Sequence, residues 1–197
     1  MGNIKEINRC PWCKNDELYT QYHDNEWGKQ VTDDGVLFEF LILESAQAGL
    51  SWLTILRKRE NYRRLFANFN AEKVAAFNQE DVEYILQDAG IIRNRLKIQS
   101  AISNAQIFLQ IQQQYGSFYK FLYLFMPNGK AIVNSFESMQ NVPTRTEISD
   151  AIAKDLKKRG FKFFGSVICY AYMQAVGMVN DHLLECEFKT SIPAKGI

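Results

Sequence analysis

Leu43-Glu44-Ser45-Ala46-Gln47-Ala48-Gly49-Leu50-Ser51-Trp52 carries a carboxylate into a segment that otherwise reads as buried helix. Upstream, Leu37, Phe38, Phe40, Leu41, Ile42 and Leu43 are apolar nearly all the way round, so the helix has no solvated face near Glu44 on which to carry a charge. A buried carboxylate must be paired or used. Gly49 breaks the helix, and Leu50, Trp52, Ile55 and Leu56 begin a second apolar face. An acid followed across a turn by an indole suits a pocket for a flat, polar or cationic ring. The alternative is a glutamate that caps a neighbouring helix or pairs with a buried arginine, and this stretch alone leaves both open.

Outward from that helix the chain keeps a helical period. Asp16–Trp27 places Leu18, Tyr19, Tyr22 and His23 on one face; Gly28 ends it, and Thr32-Asp33-Asp34 caps the helix of Glu44. The run Arg57-Lys58-Arg59-Glu60 reads as a solvated face, with Tyr62, Leu65, Phe66 and Phe69 continuing as a short helix. Asn70 and Asn78 cap helices expected over 71–77 and 79–88. A long helix runs to about Tyr115 and stops at Gly116, and Phe118–Phe125 follows as another. Met126–Thr144, with its prolines and Gly129, is a connection with room for a short helix. Glu147–Arg159 is amphipathic, a basic turn spans Leu156 to Gly165, and Ser166–Val179 reads as a central buried helix. The expected class is all-α: one globular domain over 1–187, divisible into two helical lobes with a pocket between them, then a flexible tail at 188–197.

With 197 residues, 47% hydrophobic, the chain can bury a substantial core. No apolar run reaches the ~20 residues that span a bilayer, and Met1–Arg9 lacks the apolar centre of a signal peptide, so a cytoplasmic protein without membrane association is expected. A net charge of +1 excludes a globally basic nucleic-acid coat and leaves only a local basic patch. Four cysteines without a secretory signal favour free thiols or a metal over disulfides, and Cys169 in its apolar run reads as core.

Three constellations carry chemistry. His182 and Cys186 stand four residues apart, one helical turn, a common spacing for tetrahedral zinc; Cys10 and His23 are the remaining candidates, with Cys13 competing for the place of Cys10. Such a set would tie the Arg9–Cys13 arm, expected to lie across the surface, to the C-terminal segment. The competing reading is ordinary histidines and free thiols. The basic turn can aim backbone N–H groups, with Lys157, Lys158, Arg159 and Lys162, at phosphates; it reads equally as a solvated helix end whose charges complement the dipole. Among Trp12, Tyr19, Tyr22, Trp27 and Trp52, Tyr19 and Trp27 read first as core, whereas Tyr22 and Trp52 flanking Glu44 could sandwich a base.

The sequence resembles the 3-methyladenine DNA glycosylase I family, a branch of the helix-hairpin-helix DNA glycosylase superfamily. The resemblance runs through Arg9-Cys10-Pro11-Trp12, Tyr22 to Gly28, Glu44 with Gln47 to Trp52, and Arg59 to Tyr62. It continues in Asp88 to Arg93, Lys157 to Phe163 and Asn180-Asp181-His182, covering about residues 9 to 186. It implies a structural zinc on Cys10, His23, His182 and Cys186, and a catalytic Glu44 against the hydrogen-bonding edge of adenine. It further implies Tyr22 and Trp52 stacked on the ring with Trp12 nearby, and a DNA anchor at Lys158, Arg159, Gly160, Phe161 and Lys162. The expected activity is a monofunctional glycosylase that flips 3-methyladenine from alkylated double-stranded DNA and hydrolyses its N-glycosidic bond in base excision repair. Phe163-Phe164-Gly165 stands where bifunctional members carry a lysine nucleophile. Asp181 is expected to orient His182, and a monomer without protein partners is expected. The rivals are a zinc-stapled module that recognises damage without catalysis, and a hydrolase with an open zinc site.

Overall fold

The computed structural model describes residues 7–47 and 49–189. Short polar side chains start most of the helices, by accepting from the first free N–H groups. Asp16 accepts from Tyr19 N–H to open α1 (Glu17–Asn25), and Asp33 accepts from Val36 N–H at the start of α2 (Asp34–Gln47). Ser51 caps α3 (Trp52–Leu65), Asn70 caps α4 (Ala71–Ala75), and Asn78 caps α5 (Gln79–Gln87). Asn94 opens α6 (Arg95–Tyr115), which Gly116 ends in the left-handed conformation, and Ser117 opens α7 (Phe118–Tyr123). Thr146 opens α8 (Glu147–Arg159), and α9 (Ser166–Ala175) begins without a side-chain cap at Gly165.

α2 is the axis of the core. Every residue from Leu37 to Ala46 is buried, and α3, α6, α7 and α9 all pack on it. Phe38 meets Phe108 of α6 with ring centroids 5.0 Å apart, and the Tyr172 hydroxyl of α9 donates to the Leu37 carbonyl at 3.2 Å. The sequence reading of an all-round apolar helix is the physical reason: such a helix has no face it can leave in water.

Several expectations need correction. Tyr62 and Leu65 belong to the same helix as Trp52, and Ala67–Phe69 is a turn of three consecutive non-glycine residues at positive φ, from 52° to 54°. Arg59, within the run read as solvated, is instead drawn inward. It donates to Glu26 at 2.7 and 2.9 Å and to Glu39 at 2.5 Å, bracing α1 and α2 against α3. The helix from Ser166 ends at Ala175, and Val179–Asn180 forms a short strand, β2, parallel to β1 (Ile132–Val133) within the irregular connection. The described residues are therefore mostly helical, with one two-residue parallel β pairing. Among the described residues no helix is long and apolar enough to cross a membrane. The tail expected from residue 188 lies, beyond residue 189, outside the described residues.

Candidate functional site

Glu44, on the last turns of α2, is 3% exposed and reaches a cavity of about 200 Å³. Its Oε2 has no hydrogen-bond partner, and burial alone pushes its pKa up to about 8. The alternative of pairing with a buried arginine is not realised among the described residues, where Arg59 is committed to Glu26 and Glu39. An unpartnered buried carboxyl in a cavity is costly to ionise and is therefore a candidate for ligand contact.

Aromatic rings wall the cavity. Tyr22 (α1) and Trp52 (first residue of α3) line it with Trp12, and so do Tyr19 and Trp27, which the sequence reading assigned to the core. Tyr22 and Trp52 approach to 5.6 Å between centroids with 52° between their planes. Parallel plates holding a base would stand roughly 7 Å apart, two ring thicknesses. The two rings thus form a corner against which one face and one edge of a base can lie, rather than a sandwich. The Trp52 Nε1–H is buried and unpartnered. Gln47, Met139, Ala171 and Gln174 complete the lining, and no lysine among the described residues contributes to it. Ala171 and Gln174, three apart on α9, share a face whose apolar neighbours concealed them; Met139 comes from the irregular connection and carried no sequence signal.

Trp12 joins this cavity to the cysteine–histidine cluster. It stands on a 3₁₀ turn, Pro11–Cys13, packed edge-on against Trp27 at 5.0 Å and His23 at 5.2 Å. The expected surface arm is embedded, with Cys10 and Cys13 fully buried. Ligand atoms of Cys10, His23 and Cys186 lie within 4.8 Å of one another, with Cys186 Sγ 3.5 Å from His23 Nε2. His182 is beside them, its ring centroid 4.7 Å from that of His23 and its Nε2 buried without a partner. Cys13 does not join them: its thiol donates to the Cys10 carbonyl. His182–Cys186 is not a helical turn either, so their proximity comes from an irregular segment.

The ring tautomers suit a cation. His23 Nδ1 faces Asp24 Oδ1 at 2.7 Å, and His182 Nδ1 faces Asn180 Oδ1 at 3.0 Å, so each Nδ1–H donates and each Nε2 keeps its lone pair. Asn180 thus holds the role expected of Asp181. Gly28 is required here, since a Cβ at that residue, φ 73°, would stand 3.0 Å from the His182 ring. Burial pushes the Cys10 thiol up to about 12 and His182 down to about 4. Both groups are held neutral, and a bound cation would displace thiol protons.

At the α8–α9 turn, Gly160 (φ 102°) closes α8, and Phe161 is buried as the anchor of the turn. Asn104 of α6 clamps it, donating to the Lys162 carbonyl and accepting from Lys162 N–H, both at 3.0 Å. Lys158 and Lys162 are exposed. Arg159 points elsewhere: it donates to Asp155, Gln114 and the Tyr115 hydroxyl and lies over the Tyr115 and Phe121 rings.

Comparison with known proteins finds relatives along nearly the whole chain. A sequence model of the family described as methyladenine glycosylase matches residues 12–190. DNA-3-methyladenine glycosylase 1 of Escherichia coli (strain K12) is 52% identical over 180 residues, which is 91% of this chain and 96% of that protein. DNA-3-methyladenine glycosylase of Haemophilus influenzae (strain ATCC 51907 / DSM 11121 / KW20 / Rd) is 45% identical over 183 residues, 93% of this chain and 98% of that one. A solved 3-methyladenine DNA glycosylase I from Staphylococcus aureus, studied for 3-methyladenine recognition, superposes with a TM-score of 0.90 at 38% identity, covering 94% of this chain and 98% of that chain.

Proposed function

The chain belongs to the methyladenine glycosylase family, and from that premise we propose a monofunctional DNA glycosylase that flips 3-methyladenine out of alkylated duplex DNA and hydrolyses its N-glycosidic bond. The observation that carries the site assignment is Glu44, a buried, unpartnered carboxyl at the end of an aromatic cavity. An adenine methylated at N3 is a cation while joined to deoxyribose and leaves as a neutral base, so no strong acid is needed to expel it. The protein's tasks are extraction, selection and admission of water to C1′. Extrusion costs a few kcal/mol, least for a damaged nucleotide, and stacking against Tyr22, Trp52 and Trp12 offsets it. Electron-rich faces favour the cation.

Glu44 accepts from the exocyclic amine and is ionised as the cation arrives. Its charge stabilises the bound base first; it aids the transition state only as far as the positive charge, moving from ring to sugar, stays within reach. No lysine among the described residues lines the cavity, in keeping with hydrolysis by water rather than strand cleavage through a Schiff base. The α8–α9 turn serves as the helix-hairpin-helix anchor, with Lys158, Lys162 and the uncapped N–H groups of α9 on phosphates. Arg159 and Phe161 support it from behind. The protein works as a cytoplasmic monomer.

The test is release of free bases from DNA treated with a methylating agent. Wild type is expected to release 3-methyladenine, and folded Glu44→Gln to do so about a hundredfold more slowly. Equal release by both would remove Glu44 from its central role. Base binding without release would favour a recognition module.

We further propose that Cys10, His23, His182 and Cys186 hold a structural zinc, a reading supported by the unpartnered Nε2 of His182, by His23 Nε2 turned toward the Cys186 thiol, and by the two buried thiols. When bound, the ion supplies a cross-link and no bond-breaking chemistry. About one zinc per chain is expected, with unfolding on chelation. Activity lost to a chelator while the fold persists would point to an open catalytic metal.

A further inference from the structure

We infer that Gln174 is a second base-contacting acceptor of this pocket and that Asp181 is the residue that fixes its orientation. The inference rests on the glycosylase reading. Gln174 lines the cavity with Glu44 and Trp52, and its Nε2 donates to Asp181 Oδ2 at 2.8 Å. Asp181 is fully buried and accepts two further bonds, from the Tyr170 hydroxyl at 2.6 Å and Asn134 Nδ2 at 2.6 Å. Neither partner leaves it free to turn: Tyr170 is buried on α9, and Asn134 directly follows β1, where its backbone N–H also donates to the Asn180 carbonyl at 3.1 Å.

A carboxylate only accepts, so the nitrogen of the Gln174 amide must face it. Reversing the amide would set an oxygen against the carboxylate oxygen at hydrogen-bond distance. The amide oxygen is thereby left for other partners, and no hydrogen bond among the described residues engages it. On facing elements the pocket then presents Glu44 and Gln174 Oε1 as acceptors amid aromatic rings, and no cationic side chain among the described residues lines it. That polarity suits a base that is positively charged and carries an exocyclic amine. A guanine methylated at N7 is equally cationic but has a carbonyl oxygen where adenine has the amine. It would meet oxygen with oxygen, which is the strong form of discrimination. Asp181, which touches no substrate, is a positioning residue whose effect passes through Gln174.

The experiment measures 3-methyladenine and 7-methylguanine released from methylated duplex DNA by wild type, Gln174→Ala, Asp181→Asn and the double variant. Thermal stability and metal content are followed alongside. Gln174→Ala is expected to lower kcat/KM for 3-methyladenine about tenfold and to raise the release of 7-methylguanine relative to 3-methyladenine. Asp181→Asn, which lets the amide turn, is expected to shift the same ratio in the wild-type background and to leave it unchanged in the Gln174→Ala background. Equal shifts in both backgrounds, or an unchanged rate and ratio in Gln174→Ala, would overturn the inference. Should Asp181→Asn not fold, Gln174→Ala decides alone. If wild type itself releases no 3-methyladenine, the failure lies with the glycosylase reading.

Discussion

Glu44 and Asp181 are both buried carboxyls at the ends of core elements, and their surroundings are opposite. Asp181 receives three donors and is satisfied where it stands. Glu44 has an oxygen without a partner and a pKa raised to about 8. Equal burial therefore says nothing about role; the partner list does. A fully bonded acid is part of the scaffold, and an unbonded one is held ready for something that is not yet there.

The contrast can be broken most forcefully by pH. Glu44 shifts from an ordinary 4.5 to about 8 on folding. Below pH 4.5 it is protonated in both states and carries no penalty. Between 4.5 and 8 the unfolded chain ionises while the fold retains the proton, so stability falls as pH rises and levels off above 8. The loss attributable to this one group is on the order of 5 kcal/mol. Denaturant unfolding of wild type against Glu44→Gln over that range should show the difference, and parallel curves would mean that Glu44 is solvated or paired in solution. Next in size, Asp181→Ala strands three donors and should destabilise by roughly 3 kcal/mol, read from the same melts. If it is silent there, Asp181 is no scaffold and the comparison fails on its other side. Lys158→Ala, which touches neither acid, should leave stability alone and reduce the slope of log affinity against log salt for DNA by about one; an unchanged slope would remove Lys158 from the phosphate contacts.

What the sequence disclosed followed from local chemistry. Asn70, Asn78, Asn94 and Thr146 announce helix starts because capping is a bond to the chain's own next turn. Glu44 stood out because its helix has no polar face. The misses are non-local. Arg59 lies in a charged run that nothing nearby marks as buried, and its partners Glu26 and Glu39 are 33 and 20 positions away. His182 and Cys186 have helical spacing without a helix, since the spacing is also what an irregular turn around one point produces. Asn180 rather than Asp181 serves His182, a choice between adjacent residues that only side-chain direction settles. Gln174 sits on a helix apolar almost all round, where one amide carries no signal until its carboxylate partner is seen.

The Pro11–Cys13 turn that carries Trp12 docks against the far end of the chain. Glu187 N–H donates to the Asn8 carbonyl at 2.9 Å, Asn8 Nδ2 donates to the Glu185 carbonyl at 2.9 Å, and Cys186 meets His23. On a translating ribosome, the helices from α1 to α8 can condense as they emerge and Trp12 can pack on α1, but the contacts of Asn8 and His23 with residues 185–187 cannot form until those residues have left the exit tunnel. Closing so long a loop costs little more entropy than closing one half its length, so the delay is one of sequence order rather than of energy. Synthesis thus completes the lining of the pocket with α9 before it supplies the brace behind Trp12, and a chain stalled between the two has the lining without that brace.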